Sequence, residues 1–222
     1  FKGGFVLKRE KLKKSVIISM LAALSFLSVV LIRIPVVLFL SYEPKDVIIT
    51  IGGFLFGPLV SALISLIVSF MEMVTISTTG PIGMLMNFIA TCSFACTAAV
   101  IYKRKRTVSG AVTGLVLGVF SMVLVMLFWN YLITPLYMGV SREAVAEILV
   151  PAILPFNLLK AFINAALTML LYKPVSIALR KAHLLPEKAL ESNKRRSIGI
   201  ALVSLTVIIT CILFILALKG II

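Results

Sequence analysis

From Val47 to Phe70 the chain carries no charged residue, and Gly52, Gly53, Gly57 and Pro58 interrupt that run. A membrane span needs about 20 predominantly apolar residues, so the run is long enough to cross a bilayer once. A proline directly after a glycine, however, reads as one helix stopping and the next starting. The stretch therefore divides into a short helix over 46–56, with Asp46 placed to cap it, and a full span over 58–72. The other apolar segments predict spans over 14–34, 81–102, 108–133, about 146–172 and 197–218. With 61% hydrophobic and only 14% charged residues, the chain lacks the polar surface of a soluble globule, and it is too apolar for a disordered one. The first span is longer than the apolar core of a signal peptide. It has no small-x-small cleavage site before Arg33, so it reads as a retained helix.

Dividing the 46–72 stretch also decides where the charges lie. The chain has 22 Lys+Arg against 8 Asp+Glu, a net charge of +14. Six bases sit in the N-terminal arm (Lys2, Lys8, Arg9, Lys11, Lys13, Lys14). Four form the run Lys103–Arg106, and seven follow the sixth span (Lys173, Arg180, Lys181, Lys188, Lys194, Arg195, Arg196). These 17 of 22 share one side only if 46–56 counts as a full crossing. The positive-inside rule makes that side, and the N-terminus, cytoplasmic. Glu43, Asp46, Glu72, Glu143 and Glu147 then fall at or near the outer face. Such a balance expresses orientation rather than nucleic-acid binding. Three regions follow: a six-helix membrane domain over 1–175, a basic cytoplasmic linker over 176–196, and an additional transmembrane helix over 197–222. The 173–196 connection can form an amphipathic cytoplasmic helix, with Pro174 and Pro186 at its edges.

Polar groups inside a bilayer are costly and mark function. In the sixth span, Asn157, Lys160 and Asn164 fall at i, i+3 and i+7 on one helical face, with Lys160 near mid-span. Asn87 and Asn130 occupy comparable outer-half positions in the fourth and fifth spans. An amide offers both donor and acceptor, so a set of them suits a neutral heteroaromatic edge that alternates C=O and N–H. For each amide alone, an interhelical hydrogen bond is as good an account. In the first span Ser15, Ser19 and Ala23 repeat at spacing four, which permits close helix approach in lipid. Ordinary packing inside the chain is the competing account.

Other chemistries lack their residues. No P-loop motif occurs, and the single histidine, His183, lies in the linker, away from any membrane carboxylate. Cys92 and Cys96 at i, i+4, and Cys211 alone, read as packing residues. An acid-rich proton relay is missing on this reading, with Glu72 the one acid close to a span interior. A lipid-modifying enzyme would need paired acids or a metal motif in the spans, and a pure scaffold would not explain Lys160.

Five motifs carry a resemblance. They are Tyr42-Glu43-Pro44-Lys45-Asp46, Gly53-x-x-x-Gly57-Pro58, and Thr79-Gly80-x-Ile82-Gly83-x-x-x-Asn87-Phe88. The two most specific are Asn130-Tyr131-x-x-x-Pro135-Leu136-Tyr137 and Pro155-Phe156-Asn157-Leu158-Leu159-Lys160. Over roughly residues 8–175 the chain resembles the substrate-binding S components of energy-coupling factor (ECF) vitamin transporters, in particular those specific for riboflavin. The resemblance implies an all-α, six-helix membrane fold with a short second helix, to which the 197–218 segment adds a seventh. It implies riboflavin as transported ligand and no other cofactor, read by Asn87, Asn130, Asn157 and Lys160, with the loop around Leu40 to Tyr42 closing over it. Asn164 joins that set from helix geometry. It further implies docking through Ser15, Ser19 and Ala23 onto a transmembrane coupling subunit that carries two ATPases, in a bacterial plasma membrane. An S component for another vitamin is the nearest alternative.

Overall fold

A computed structural model of the protein describes residues 2–37, 40–185 and 194–218. Helix α1 (Lys2–Leu31) leads into a two-stranded antiparallel hairpin, β1 (Ile34–Val37) and β2 (Leu40–Tyr42). Then come α2 (Lys45–Phe56), α3 (Pro58–Thr75), α4 (Gly80–Arg104), α5 (Val108–Met138), α6 (Arg142–Ile148), α7 (Leu154–Lys181) and α8 (Lys194–Leu218). A π-helical turn, Leu149–Ile153, joins α6 to α7. Among the described residues, six helical segments are long and apolar enough to cross a membrane: Lys11–Leu31, Pro58–Thr75, Gly80–Arg104, Val108–Leu136, Arg142–Lys181 and Ile198–Ala217. The 12-residue α2 is apolar as well but shorter than these.

The break between α2 and α3 falls where the sequence put it. Gly57 ends α2 at φ 100°, a backbone region a side chain disfavours, and Pro58 opens α3. Contacts at the helix ends show that α2 runs from one end of the bundle to the other. At one end the Lys14 ammonium lies 5.9 Å from the Phe56 ring, and Lys103 approaches Gly57. There too the Tyr102 and Tyr172 hydroxyls meet at 2.8 Å, and Lys13 donates to the His183 carbonyl at 3.0 Å. The basic clusters thus gather at one end, while the hairpin, Glu43, Asp46 and Glu72 gather at the other.

The core lies mid-bundle between α2, α3, α4 and α5, around Ile49, Ile64, Val68, Phe94, Ala95, Ala98 and Met122. Small residues bring these helices together. A Cβ added at Gly53 would stand 2.9 Å from the Ala99 Cβ and would overlap the Ser61 hydroxyl. Helix α8 sits apart, packed chiefly along α7, with Ser204 and Cys211 turned inward. Cys211 shares a buried cluster with Val36 and Tyr42 of the hairpin and with Phe156.

Three details differ from the sequence expectation. Asp46 does not cap α2: Pro44 holds the cap position without a side-chain bond, and Asp46 points into the protein. Helix α7 continues through Pro174 to Lys181, so that proline is not an edge; Pro186 lies outside the described residues. The hairpin replaces what read as the tail of the first span and a loop.

The tight seat of Gly53 yields a test. Gly53→Val is expected to lose about 1–3 kcal/mol through overpacking, seen as a lower Tm of the purified protein; an unchanged Tm would contradict this packing.

Candidate functional site

At the end away from the basic clusters, the helices and hairpin enclose a cavity of about 110 Å3. Met86, Met122, Met126 and Phe156 give it an apolar wall, and Arg33, Glu43, Glu72, Asn87, Asn157 and Lys160 give it a polar one. Helix α7 presents Asn157 and Lys160 together because residues three apart share a face. Asn157 Nδ2 donates to the Ile153 carbonyl at 2.8 Å within its own helix. Asn87 Nδ2 donates to Glu72 Oε2 at 2.8 Å. A carboxylate only accepts, so Glu72 fixes the Asn87 amide with its carbonyl oxygen turned away from that bond. Among the described residues, neither amide's carbonyl oxygen accepts a hydrogen bond. Both acceptors are left for a bound molecule.

Behind this wall lies a buried ion network. Lys45, only 1% exposed, places Nζ 2.6 Å from both oxygens of Glu72 and 3.0 Å from Glu43 Oε2. Arg33 Nε stands 3.4 Å from the other Glu43 oxygen. Asp46, fully buried, accepts from Thr91 Oγ1 at 2.6 Å and from Asn164 Nδ2 at 3.1 Å, and stands 3.6 Å from Lys160 Nζ. Tyr42 closes the chain by donating to Asn164 Oδ1 at 3.1 Å. Arg33, Lys45 and Lys160 therefore balance Glu43, Asp46 and Glu72. Burial pushes the Glu43 carboxyl upward, but Lys45, then Lys160 and Arg33, outweigh it and hold it below the ordinary carboxylate value.

The cavity brings together Leu40, Asn87, Asn157 and Lys160 of the residues singled out in the sequence. Tyr42 and Asn164 stand behind it in the network just described. Asn130 is fully buried and bonds along its own helix: Nδ2 donates to the Met126 carbonyl at 2.7 Å, and Oδ1 accepts from Thr134 at 2.9 Å. Ser15, Ser19 and Ala23 lie on the exposed side of α1, while Ile17, Leu21, Ala22 and Ser25 face inward. Cys96 Sγ donates to the Pro58 carbonyl at 3.5 Å, a packing contact.

Sequence reasoning missed the ion network. It set Glu43, Asp46 and Glu72 at or near the outer face, with Glu72 the one acid close to a span interior, and paired none of them. The structure buries all three, because the first turn of α2 is sunk between α3, α4 and α7 and lysines neutralise the carboxylates. The alternation of charges in Glu43-Pro44-Lys45-Asp46, ahead of an apolar helix, was the available signal.

Lys45 generates a test. Removing one partner of a buried ion pair costs about 3–5 kcal/mol. Lys45→Met is expected to show a loss of that size in Tm and denaturant midpoint, and a loss below about 1 kcal/mol would contradict the burial described.

Comparison with known proteins places this geometry. Residues 13–172 match the family described as "ECF transporter, substrate-specific component"; α8 lies outside the match. The chain is 30% identical over 184 residues to the "Riboflavin transporter RibU" of Staphylococcus aureus (strain TCH60), covering 79% of this chain and 96% of that protein. It is 29% identical over 189 residues to the "Riboflavin transporter FmnP" of Bacillus subtilis (strain 168), covering 78% of this chain and 99% of that one. A solved structure described as the S component of a bacterial ECF transporter superposes with a TM-score of 0.66 at 31% identity, covering 77% of this chain and 99% of the other. The chain, a helical protein with several apolar spans, belongs to the substrate-specific S components of ECF transporters.

Proposed function

We propose that this chain captures riboflavin from outside the cell and delivers it across the membrane as the S subunit of an ECF importer. The observation that carries the reading is the cavity lining: the amides of Asn87 and Asn157 and the Lys160 ammonium share it with Met86, Met122, Met126 and Phe156. The flat flavin ring suits the apolar surface, and its C=O/N–H edge suits the polar one. Kinship with two riboflavin transporters supports the same ligand.

Each sequence-derived residue has a place in this reading. Leu40 covers the ligand from the hairpin. Tyr42 and Asn164 support the polar edge through Asp46. Asn130 holds the Met126 carbonyl behind the apolar wall and would join the flavin-reading set only by giving up its bonds to Met126 and Thr134. Pockets for ligands of this size usually run from about 300 Å3 upward, so entry requires the hairpin to move off the 110 Å3 cavity. The exposed Ser15, Ser19 and Ala23 dock a transmembrane coupling subunit bound to two ATPases. Those partners supply the energy, and this chain makes and breaks no bonds. The basic end is cytoplasmic with the N-terminus, in a bacterial plasma membrane. Residues 1–175 bind, α7 runs on to Lys181 ahead of a cytoplasmic connection, and α8 adds a crossing.

Quenching of flavin fluorescence tests the ligand. The purified chain is expected to bind riboflavin tighter than micromolar, with no competition from thiamine, folate or biotin. Weaker binding, or displacement by one of the three, would sink the assignment.

Lys160→Ala is expected to weaken riboflavin binding by about 1–3 kcal/mol, read in the same titration. Unchanged affinity would remove Lys160 from the site.

A further inference from the structure

Resting on the riboflavin reading, a second question is what the cavity refuses. Its charged lining residues are Arg33 and Lys160 against Glu43 and Glu72. The two acids differ in role. Glu72 holds Lys45 with both oxygens at 2.6 Å and orients Asn87, so its charge is spent inside the wall. Glu43 shares Lys45 with Glu72 through one oxygen, at 3.0 Å. The other Glu43 oxygen stands 3.4 Å from Arg33, whose side chain is 48% exposed where the other ion-network groups are almost wholly buried. Glu43 is therefore the carboxylate that faces Arg33, the more exposed of the two cations that line the cavity among the described residues.

We propose that Glu43 is a specificity-determining residue, which admits a flavin with a neutral hydroxyl tail and turns away one whose tail ends in a phosphate. The chemistry is that of donors against acceptors. An ionised carboxylate only accepts hydrogen bonds, so it welcomes the O–H donors of a polyol. A phosphate monoester replaces the terminal O–H of that tail with acceptor oxygens and a charge of about −1.5 to −2. Next to Glu43 it meets like charge. It also finds Arg33 already paired, Lys45 enclosed by two carboxylates, and Lys160 beside Asp46. Without the Glu43 charge, the same wall holds one unbalanced positive charge and a released guanidinium, the group best shaped to bind phosphate.

The experiment titrates riboflavin and riboflavin 5′-phosphate against the full chain and its Glu43→Gln variant, and reads the ratio of the two affinities. The parent is expected to bind the 5′-phosphate at least about tenfold more weakly, and Glu43→Gln to shrink that ratio at least about tenfold, whatever it does to riboflavin itself. Adding Arg33→Gln to Glu43→Gln is expected to undo most of the change. In the parent, raising salt from about 0.05 M to about 0.5 M is expected to narrow the ratio at least about twofold, because repulsion near an open mouth is screened whereas a steric barrier is not. This arm stands even where the variant fails to fold. A parent that binds riboflavin and its 5′-phosphate equally, a ratio that Glu43→Gln leaves unchanged, or a ratio insensitive to salt overturns the proposal alone. A parent that does not bind riboflavin overturns the riboflavin reading first.

Discussion

The site depends on Lys45 being held between two carboxylates in a nearly water-free interior. A lone ammonium in such a place is expensive, and a lone carboxylate equally so. Glu72, Glu43 and Lys45 remove that cost mutually, and Asp46 does the same for Lys160. The pairs come from four different elements, the hairpin connection, α2, α3 and α7, so each ion pair is also a crosslink. They fix the depth of α2, the direction of the Asn87 amide and the position of the Lys160 head. Balanced charge leaves the enclosed space polar in its hydrogen bonding yet neutral in sum. Neutrality of that kind suits an uncharged ring with a defined edge.

The second constraint is the break at Gly57–Pro58. It lets a 24-residue apolar run form two helices instead of one. The first helix is short, which is why its opening turn lies below the rim and can carry Lys45 and Asp46 inward. Had the run formed a single helix, these charges would not have met Glu72 and Lys160, and the basic clusters would have been divided between two faces.

How much of this the sequence disclosed varies by element. The spans were legible because long apolar runs leave few alternatives in lipid, and the α2–α3 break because glycine and proline have strong local meaning. Asn157 and Lys160 stood out since a polar stripe in an apolar helix is conspicuous. The ion network was illegible because its partners are remote: Asp46 bonds Asn164, 118 positions away, and Lys45 bonds Glu72, 27 away. Asn130 shows a different limit. Its depth along α5 is comparable to that of the other amides, but depth does not set which way a side chain turns, and this one bonds its own helix. The hairpin escaped notice because its strands have only four and three residues and carry Pro35.

The course of α8 bears on how the molecule presents itself to reagents. Helix α7 ends among the basic residues, where the His183 carbonyl takes a bond from Lys13. Helix α8 then returns, and by Cys211 it has reached Tyr42 beside the cavity. Its last turn near residue 217 and the Lys13 end of α1 therefore lie at opposite ends of the bundle. A fluorophore placed at the end of α8 sits at the end of the bundle that holds the cavity, far from the basic residues.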